Sequence, residues 1–328
     1  MTADRPVLVT GATGFLGGHV LEALRARGRR ARVLLRSDRD AAALGDVEIV
    51  LGDVLDAESV ARAVDGAGAV LHCAGKVSRD PADAELLRSV HVLGTRHVVA
   101  AAKRAGLRTV LASTSGTVAV SETCEVMRED RPTPIALIAR FPYYRSKLYA
   151  EEDALRAAKD GADVVSVNPS LLLGPGDRRG SSTEDVWKFL TKSIPVTPAG
   201  GLSFVDARDA AEGLLLAEER GRSGERYLLS GANLSVREFF DRLSRLSGIA
   251  APPVVLPRAR WLSKALYDGT SRLAKAVGGE LAVDAASFEM GGLWWWVDAG
   301  KAERELGWAA RDSSETLAET VRELQGRA

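Results

Sequence analysis

The feature that most constrains the fold lies near the start of the chain, where an apolar run leads into a glycine-rich turn. Residues 7–9 predict a buried strand, Gly11, Gly14 and Gly17 follow at intervals of three, and apolar residues at helical spacing continue to Leu24. Glycines let a backbone approach a pyrophosphate, and a helix N-terminus offers N–H groups and a partial positive charge. This order predicts a dinucleotide site, although the spacing differs from the commoner G-x-G-x-x-G. A tight turn without a ligand is the alternative.

Strands and helices alternate through the first half of the chain. Further strands are predicted at 31–35, 47–51, 69–73, 109–112 and 164–167, with helices at 57–64 and 90–105. This alternation predicts an α/β fold, namely a Rossmann-type doubly wound parallel sheet with ligands at the carboxyl ends of its strands. Beyond residue 170 the alternation loosens. We expect a dinucleotide-binding domain over 1–170, onto which about 202–230 folds back, and mainly a smaller C-terminal substrate-binding cap over 171–328.

The composition is that of an ordinary globular protein, with 46% hydrophobic and 27% charged residues. Lys+Arg and Asp+Glu both number 44, so no net charge attracts nucleic acid or an anionic membrane. Two cysteines, Cys73 and Cys124, cannot build a disulfide framework, no apolar run is long enough to span a membrane, and a strand begins close to the N-terminus. We therefore expect a cytoplasmic protein. No metal site is expected, because the four histidines are scattered: His19, His72, His91 and His97.

A tyrosine and a lysine in the middle of the chain have the spacing of an acid/base pair. Tyr143 and Lys147 are four residues apart, so on a helix they share one face, and Pro142 suits the first turn of that helix. A free phenol has a pKa near about 10, and a lysine cation nearby would lower that pKa. Such a pair can exchange a proton with a substrate oxygen. Two surface residues at this spacing are the alternative.

The end of the second predicted strand bears on the choice of cofactor. Arg36 stands where an acidic residue would bind the ribose 2′-hydroxyl of NAD, and an arginine there accommodates the 2′-phosphate of NADP. We therefore expect NADP(H) to be preferred, with NAD(H) left open. A solvated charge at a strand end is the alternative.

Four short stretches together resemble the extended short-chain dehydrogenase/reductase family, also described as the NAD-dependent epimerase/dehydratase superfamily. They are TGATGFLG at 10–17, GDV at 52–54, STSG at 113–116 and YYRSK at 143–147. Later stretches, among them NPSLLLGPGD at 168–177, look most like the branch of dihydroflavonol reductases, 3β-hydroxysteroid dehydrogenases and hopanoid-associated epimerase-like proteins.

The resemblance implies roles for particular residues. Ser115 matches the family's catalytic serine, with Ser113 and Thr114 as fallback candidates, while Tyr143 becomes the acid/base and Lys147 its partner. Asp53 and Val54 would flank the adenine, and Asn168 and Pro169 would lie near the nicotinamide. The implied cofactor-binding residues are Gly11, Thr13, Gly14, Phe15, Leu16, Gly17, Arg36, Asp53, Val54, Ala74, Gly75, Lys147, Asn168 and Pro169.

Two departures from the family pattern bear on the chemistry that we expect of this site. His91 stands where the family usually has asparagine, either as part of a proton relay or as a histidine satisfied in a helix interface. Gly116 and Thr117 stand where dehydratases place acidic residues, which argues against sugar dehydration because that reaction needs an acid for the leaving hydroxyl.

The expected function is an NADP(H)-dependent oxidoreductase that interconverts a ketone and a secondary alcohol on a small, apolar, ring-containing substrate. A nucleotide-sugar epimerase with tightly bound NAD(P) and a non-enzymatic dinucleotide-sensing protein are the alternatives. An amphipathic helix at 261–277, which carries Trp261 and Leu266, is expected to cover the nicotinamide end as a lid. A small-molecule substrate is the expected partner, and a homodimer is left open.

Overall fold

The computed structural model describes residues 5–257, 262–269 and 285–327. Its strands, in chain order, are β1 (Val7–Thr10), β2 (Ala31–Leu35), β3 (Glu48–Leu51), β4 (Ala69–His72), β5 (Thr109–Ala112), β6 (Val126–Met127), β7 (Val164–Pro169), β8 (Leu171–Leu173), β9 (Val196–Thr197), β10 (Gly201–Asp206), β11 (Arg226–Leu229), β12 (Ala232–Ser235), β13 (Val254–Val255) and β14 (Trp296–Val297).

The α-helices are also numbered in chain order. They are α1 (Phe15–Ala26), α2 (Ala57–Val64), α3 (Ala84–Arg88), α4 (Gly94–Ala105), α5 (Ile135–Ile138), α6 (Pro142–Lys159), α7 (Glu184–Leu190), α8 (Ala207–Arg220), α9 (Val236–Ser247), α10 (262–269), α11 (Ala285–Gly291), α12 (Gly300–Leu306) and α13 (Ser313–Gln325). No described helix has the length and apolar character needed to cross a membrane.

A seven-stranded parallel sheet forms the centre of the molecule, in the order β11-β7-β5-β4-β1-β2-β3. Strand β1 pairs with β2 on one side and with β4 on the other, so Val9 lies between Val33 and Leu71. The chain therefore reverses its direction of travel across the sheet between β1 and β4, and ligands of such sheets bind at this reversal. The predicted Rossmann-type fold is confirmed.

Helices cover both faces of this sheet because its central strands are apolar on both sides. Leu24 of α1 and Leu214 of α8 share one core with Val9, whereas Val60 of α2 and Val98 of α4 pack with other strand residues on the opposite face. Helix α6 lies on that second face as well, next to β5 and β7. The two faces bury a continuous core that holds the carboxyl ends of the strands in place.

The second half of the chain contributes to two layers. Strand β11 is the outer strand of the main sheet, while β12, β10 and β8 form a separate three-stranded sheet. A second apolar core joins α7, α9 and α13 and contains Phe189, Phe239 and Phe240.

The boundary predicted at residue 170 stays a prediction, as do the cytoplasmic location and the homodimer.

Two predicted helices differ from the observed ones. Helical structure begins at Ala84 rather than at residue 90 and passes through a π-helical turn at Ser89–Leu93 before α4. Of the predicted helix at 261–277, the structure describes residues 262–269 as helical, and Trp261 and 270–277 lie outside the described residues. The π turn matters for function because it places His91 beside Tyr143, as described below.

Candidate active site

A continuous cleft of about 2130 Å³ runs between the carboxyl edge of the main sheet and a group of segments that we call the cap, namely the 174–183 loop, α7, α9 and α11. The predicted catalytic residues line it, and so do all of the predicted cofactor-binding residues except Asn168. Sequence positions as far apart as Gly11 and Pro169 therefore meet in one groove.

The glycine turn after β1 packs so closely against neighbouring backbone that side chains cannot be accommodated at Gly11 and Gly17. Gly11 has φ 72°, and a Cβ at this position would lie 2.6 Å from the backbone of Cys73 and Ala74. A Cβ at Gly17 would lie 2.2 Å from the carbonyl oxygen of Gly11. The amide of Gly14 donates to the same carbonyl at 3.0 Å and closes the turn. This bare backbone at the start of α1 fits the pyrophosphate of a dinucleotide.

A loop from the cap lies over this end of the cleft. His19 of α1 has its Nε2 atom 2.9 Å from the carbonyl oxygen of Pro175, which can only accept, so the imidazole donates. The neighbouring Asp177 is buried and its carboxylate accepts from the amides of Ser182 and Thr183 at 2.8 and 3.0 Å. These bonds anchor the 174–183 loop above the glycine turn.

The adenosine end of the cleft has no acidic residue at the tip of β2. Arg36 is exposed there, lines the cleft and forms no ion pair with another described residue. Asp53 and Val54 line the adjacent wall, and the Asp53 carboxylate accepts from the amide of Leu55 at 2.9 Å. Among the described residues, the Arg36 cation at the tip of β2 is therefore left without an ion-pair partner.

The acid/base candidate lies in the first turn of α6, directly after Pro142. Burial raises the pKa of the Tyr143 phenol above its usual range, and Tyr144 nearby adds to that rise. The predicted lowering by Lys147 is wrong for this structure, because burial and Tyr144 are the influences on this phenol and both raise its pKa. Tyr143 is therefore a protonated phenol near neutral pH and holds a proton that a substrate oxygen could receive.

Lys147 is buried one turn further along α6. Its ammonium group donates to the carbonyl oxygen of Ala112 at 2.8 Å. Burial lowers the pKa of Lys147 to about 8, although Cys73 and Glu151 oppose the change. The amine therefore titrates close to the physiological range.

Ser115 begins a single helical turn, Ser115–Thr117, directly after β5. It is buried and lines the cleft, and its hydroxyl forms no hydrogen bond with another described residue. The fallback candidates are engaged elsewhere, since the Ser113 hydroxyl donates to Glu151 at 2.6 Å and the Thr114 hydroxyl accepts from the Gly116 amide at 3.3 Å. The geometry thus favours Ser115 over its neighbours.

Both ring nitrogens of His91 are hydrogen-bonded, one to the loop after β4 and the other to α6. Its Nε2 atom accepts from the amide of Lys76 at 3.1 Å, so the proton lies on Nδ1, which faces the Ser146 hydroxyl at 2.8 Å. Ser146 in turn donates to the carbonyl oxygen of Tyr143 at 2.8 Å. Burial, with Lys147 nearby, lowers the pKa of His91 to about 2, so the ring stays neutral. The ring lies 5.7 Å from that of Tyr143, edge to face.

The nicotinamide end departs from the prediction at one residue. The Asn168 side chain points behind the cleft wall, where its amide donates to Glu151 at 2.9 Å and to Thr117 at 3.1 Å. Pro169 and Ser170 line the cleft instead. The buried Ser170 hydroxyl has no hydrogen-bond partner among the described residues, which leaves it for a ligand. Sequence reasoning missed Ser170, although it directly follows the predicted pair.

The cleft has an aromatic wall beside Tyr143. Tyr144 stacks on Trp295, with ring centroids 4.8 Å apart, and Phe288 and Met290 line the same wall. A Cβ at Gly116 would lie 2.3 Å from the Tyr144 ring, so this glycine leaves room for the tyrosine. The wall is aromatic and half-buried.

The described part of the predicted lid helix does not line the cleft. This part is α10, residues 262–269, in which Leu266 is exposed. Tyr267 stacks on Phe288 at 4.3 Å between centroids, so this helix lies one layer behind the wall. Of the three consecutive tryptophans, Trp295 alone lines the cleft.

No group of three histidine, cysteine, aspartate or glutamate side chains in the described ranges could hold a metal ion. The site residues are instead hydroxyls, an amine, amides and aromatic rings.

Comparison with known proteins places these features in one family. A model of the NAD dependent epimerase/dehydratase family matches residues 7–230. A candidate dihydroflavonol 4-reductase from Synechocystis sp. is 32% identical over 97% of this chain and 94% of its own length. A 4-hydroxy-2-methyl-3-oxo-4-farnesyl-3,4-dihydroquinoline-1-oxide ketoreductase from Stigmatella aurantiaca is 32% identical over 92% of this chain and 91% of its own. The crystal structure of gox2253 has a TM-score of 0.85 and 30% identity and covers 99% of both chains.

Proposed function

Because the chain belongs to the NAD-dependent epimerase/dehydratase family, of the extended short-chain dehydrogenase/reductase type, and is an NAD(P)-dependent oxidoreductase, we propose that it reduces ketones on apolar, ring-containing substrates with NADPH. One observation carries this proposal. The cleft runs without interruption from the glycine turn to the aromatic wall of Tyr144 and Trp295, and Tyr143 and Ser115 lie between them.

The choice of NADPH rests on the tip of β2. Arg36 is an exposed cation in the cleft, and an acidic residue, which would bind the ribose 2′-hydroxyl and repel a 2′-phosphate, is absent there. The glycine turn would hold the pyrophosphate, and Pro169 and Ser170 would lie against the nicotinamide.

The side chains at the centre of the cleft divide the chemistry between them. The bound nicotinamide supplies a hydride to the carbonyl carbon. Ser115 donates a hydrogen bond to the carbonyl oxygen as negative charge builds on it, and Tyr143 transfers its phenolic proton to that oxygen. The phenolate left behind shares a helix face with the ammonium of Lys147, one turn away.

The substrate class follows from the wall. Stacked aromatic rings offer a large apolar face to a flat ring, whereas the many hydroxyls of a sugar would need more hydrogen-bond partners than the Tyr144 hydroxyl provides. The ketoreductase from Stigmatella aurantiaca has a name that describes a ring ketone, which is consistent with this assignment.

A screen of ring ketones and secondary alcohols with NADPH and NADP⁺, followed by nicotinamide absorbance, tests the proposal. We expect stoichiometric oxidation of NADPH with at least one aryl or alicyclic ketone and much less with sugar nucleotides. An epimerase would convert a nucleotide sugar with no net change in cofactor. A sensing protein would bind NADPH and turn over no substrate. Either result would overturn the assignment.

A further inference from the structure

Glu151 lies on the same face of α6 as the acid/base pair. It follows Lys147 by four residues and Tyr143 by eight, so the three side chains form one row along the helix. Its carboxylate is fully buried. A buried carboxylate needs several partners to offset the loss of hydration, and this one has four.

Three of these partners meet one oxygen. Glu151 Oε2 accepts from Ser113 Oγ at 2.6 Å, Thr117 Oγ1 at 2.7 Å and Asn168 Nδ2 at 2.9 Å. Ser113 and Thr117 stand two residues before and two residues after Ser115. Both ends of the Ser115 turn are therefore tied to the helix that carries Tyr143.

The other oxygen faces a cation. Glu151 Oε1 lies 3.0 Å from Nε of Arg226, on the outer strand β11. In a glutamine at this position, the amide N–H groups would face either the three donors that now meet Oε2 or the guanidinium of Arg226. The site thus requires an acceptor at Oε2 and a negative charge beside Arg226, and a glutamine cannot supply both.

The charge of Glu151 also acts on Lys147. Besides Glu151, the titratable groups that affect or are affected by the lysine are Cys73, His72 and His91. Burial lowers the pKa of His72 to about 3 and that of His91 to about 2, and it raises the pKa of Cys73 to about 12. These three groups are neutral at pH 7. Glu151 is the charged member of this set, and it favours the ammonium form of Lys147.

We propose that Glu151 is the positioning residue of this site, which holds the Ser115 turn against the helix that carries Tyr143 and keeps the Lys147 amine charged. The expected effect of Glu151 on catalysis rests on the proposed function. The expected effect on the charge of Lys147 does not, because that charge can be followed through cofactor binding.

The test compares Glu151→Gln with Glu152→Gln, which makes the same chemical change one residue further along α6, away from the network. NADPH binding is titrated by fluorescence across pH 6–10, and ketone reduction is measured over the same range. Removing the negative charge should move the alkaline midpoint of NADPH binding down by about one pH unit. It should also lower kcat by roughly 10–100-fold through misplacement of Ser115. Glu152→Gln should match the wild-type protein in both measurements.

A second variant, Ser113→Ala, separates the effect of geometry from the effect of charge. It can be measured even if Glu151→Gln does not fold. It removes one bond to Glu151 and leaves every charge in place, so kcat should fall several-fold while the binding midpoint stays unchanged.

Two results would overturn the proposal. One is a kcat equal to that of the wild-type protein in the Glu151→Gln variant or in a folded Ser113→Ala variant. The other is a Glu151→Gln protein that is merely less stable, with the binding midpoint unmoved. If the wild-type protein binds NADPH but reduces no ketone, the proposed function fails, and the binding midpoint still decides the role of Glu151.

Discussion

Arg79 Nη2 lies 2.6 Å from Asp185 Oδ2, and a second bond of 2.8 Å joins Nη1 to the other carboxylate oxygen. This paired contact connects the loop after β4 to helix α7 of the cap, and Arg79 Nη1 also donates to Ser287 of α11 at 3.3 Å. Both side chains of the ion pair line the cleft. This ion pair, which we call the clasp, therefore joins the two walls of the site through residues 106 positions apart.

The clasp should stabilise the closed arrangement of the cap. Asp185→Asn should lower the free energy of unfolding by about 1 kcal/mol, since the bidentate pair is partly exposed and its contribution is reduced by solvent. Amide hydrogen exchange in 184–190 should become faster, and both effects should shrink at high salt. Glu184→Gln, which breaks an exposed pair with Lys188 on the same helix, is the control and should change much less. Unaltered exchange in α7 would contradict the role of the clasp.

Loss of the Tyr143 hydroxyl should remove the proton donor and leave the site otherwise intact. Tyr143→Phe should lower kcat by a factor of ~10²–10⁴ while NADPH still binds, because general acid catalysis contributes on that scale. Steady-state kinetics and a fluorescence titration measure the two effects. Tyr149→Phe on the exposed side of α6 is the control. If Tyr143→Phe kept its rate and Tyr144→Phe lost it, the assignment would pass to Tyr144.

The cofactor preference should depend on Arg36. Arg36→Asp should weaken NADPH binding by ~1.5–3 kcal/mol, the scale of a hydrogen bond to a charged group, and should spare or improve NADH binding. Isothermal titration with each cofactor gives the comparison. Arg62→Asp, on the exposed surface of α2, controls for the change in net charge. Equal affinity of the wild-type protein for NADPH and NADH would refute the predicted preference.

Lys147 should reduce stability near neutral pH. Burial lowers the pKa of Lys147 to about 8 from a usual value near 10.5. Between these two values the unfolded chain binds more protons than the folded chain, so this lysine's contribution makes stability rise with pH across that window. Below pH 8 the folded state carries the full cost of the buried charge.

Removing the amine should therefore stabilise the protein while abolishing its activity. Lys147→Met should raise the free energy of unfolding on the order of 1–3 kcal/mol at pH 7, and the gain should vanish toward pH 10.5. Thermal unfolding at several pH values measures it, with the exposed Lys159→Met as the control. A gain that is independent of pH would show that packing, not charge, is responsible.

The sequence by itself determined the features that depend on local spacing. Apolar periodicity predicted strands 31–35 and 109–112 and helix 57–64 with the bounds that the structure has. The glycine turn follows from steric freedom at Gly11, and the row of Tyr143 and Lys147 follows from the four-residue repeat of a helix. These patterns involve neighbours in the chain, so no knowledge of the fold was needed to see them.

The tertiary structure alone decided the features that depend on burial and on contacts between distant residues. The pKa of Tyr143 is raised rather than lowered because the surrounding protein excludes water from the phenol. Asn168 faces Glu151 instead of the cleft because three elements meet behind the wall. The Arg79–Asp185 clasp joins a loop and a helix that lie far apart in the sequence. Desolvation and long-range pairing act only once the chain has folded, and a linear pattern carries no record of them.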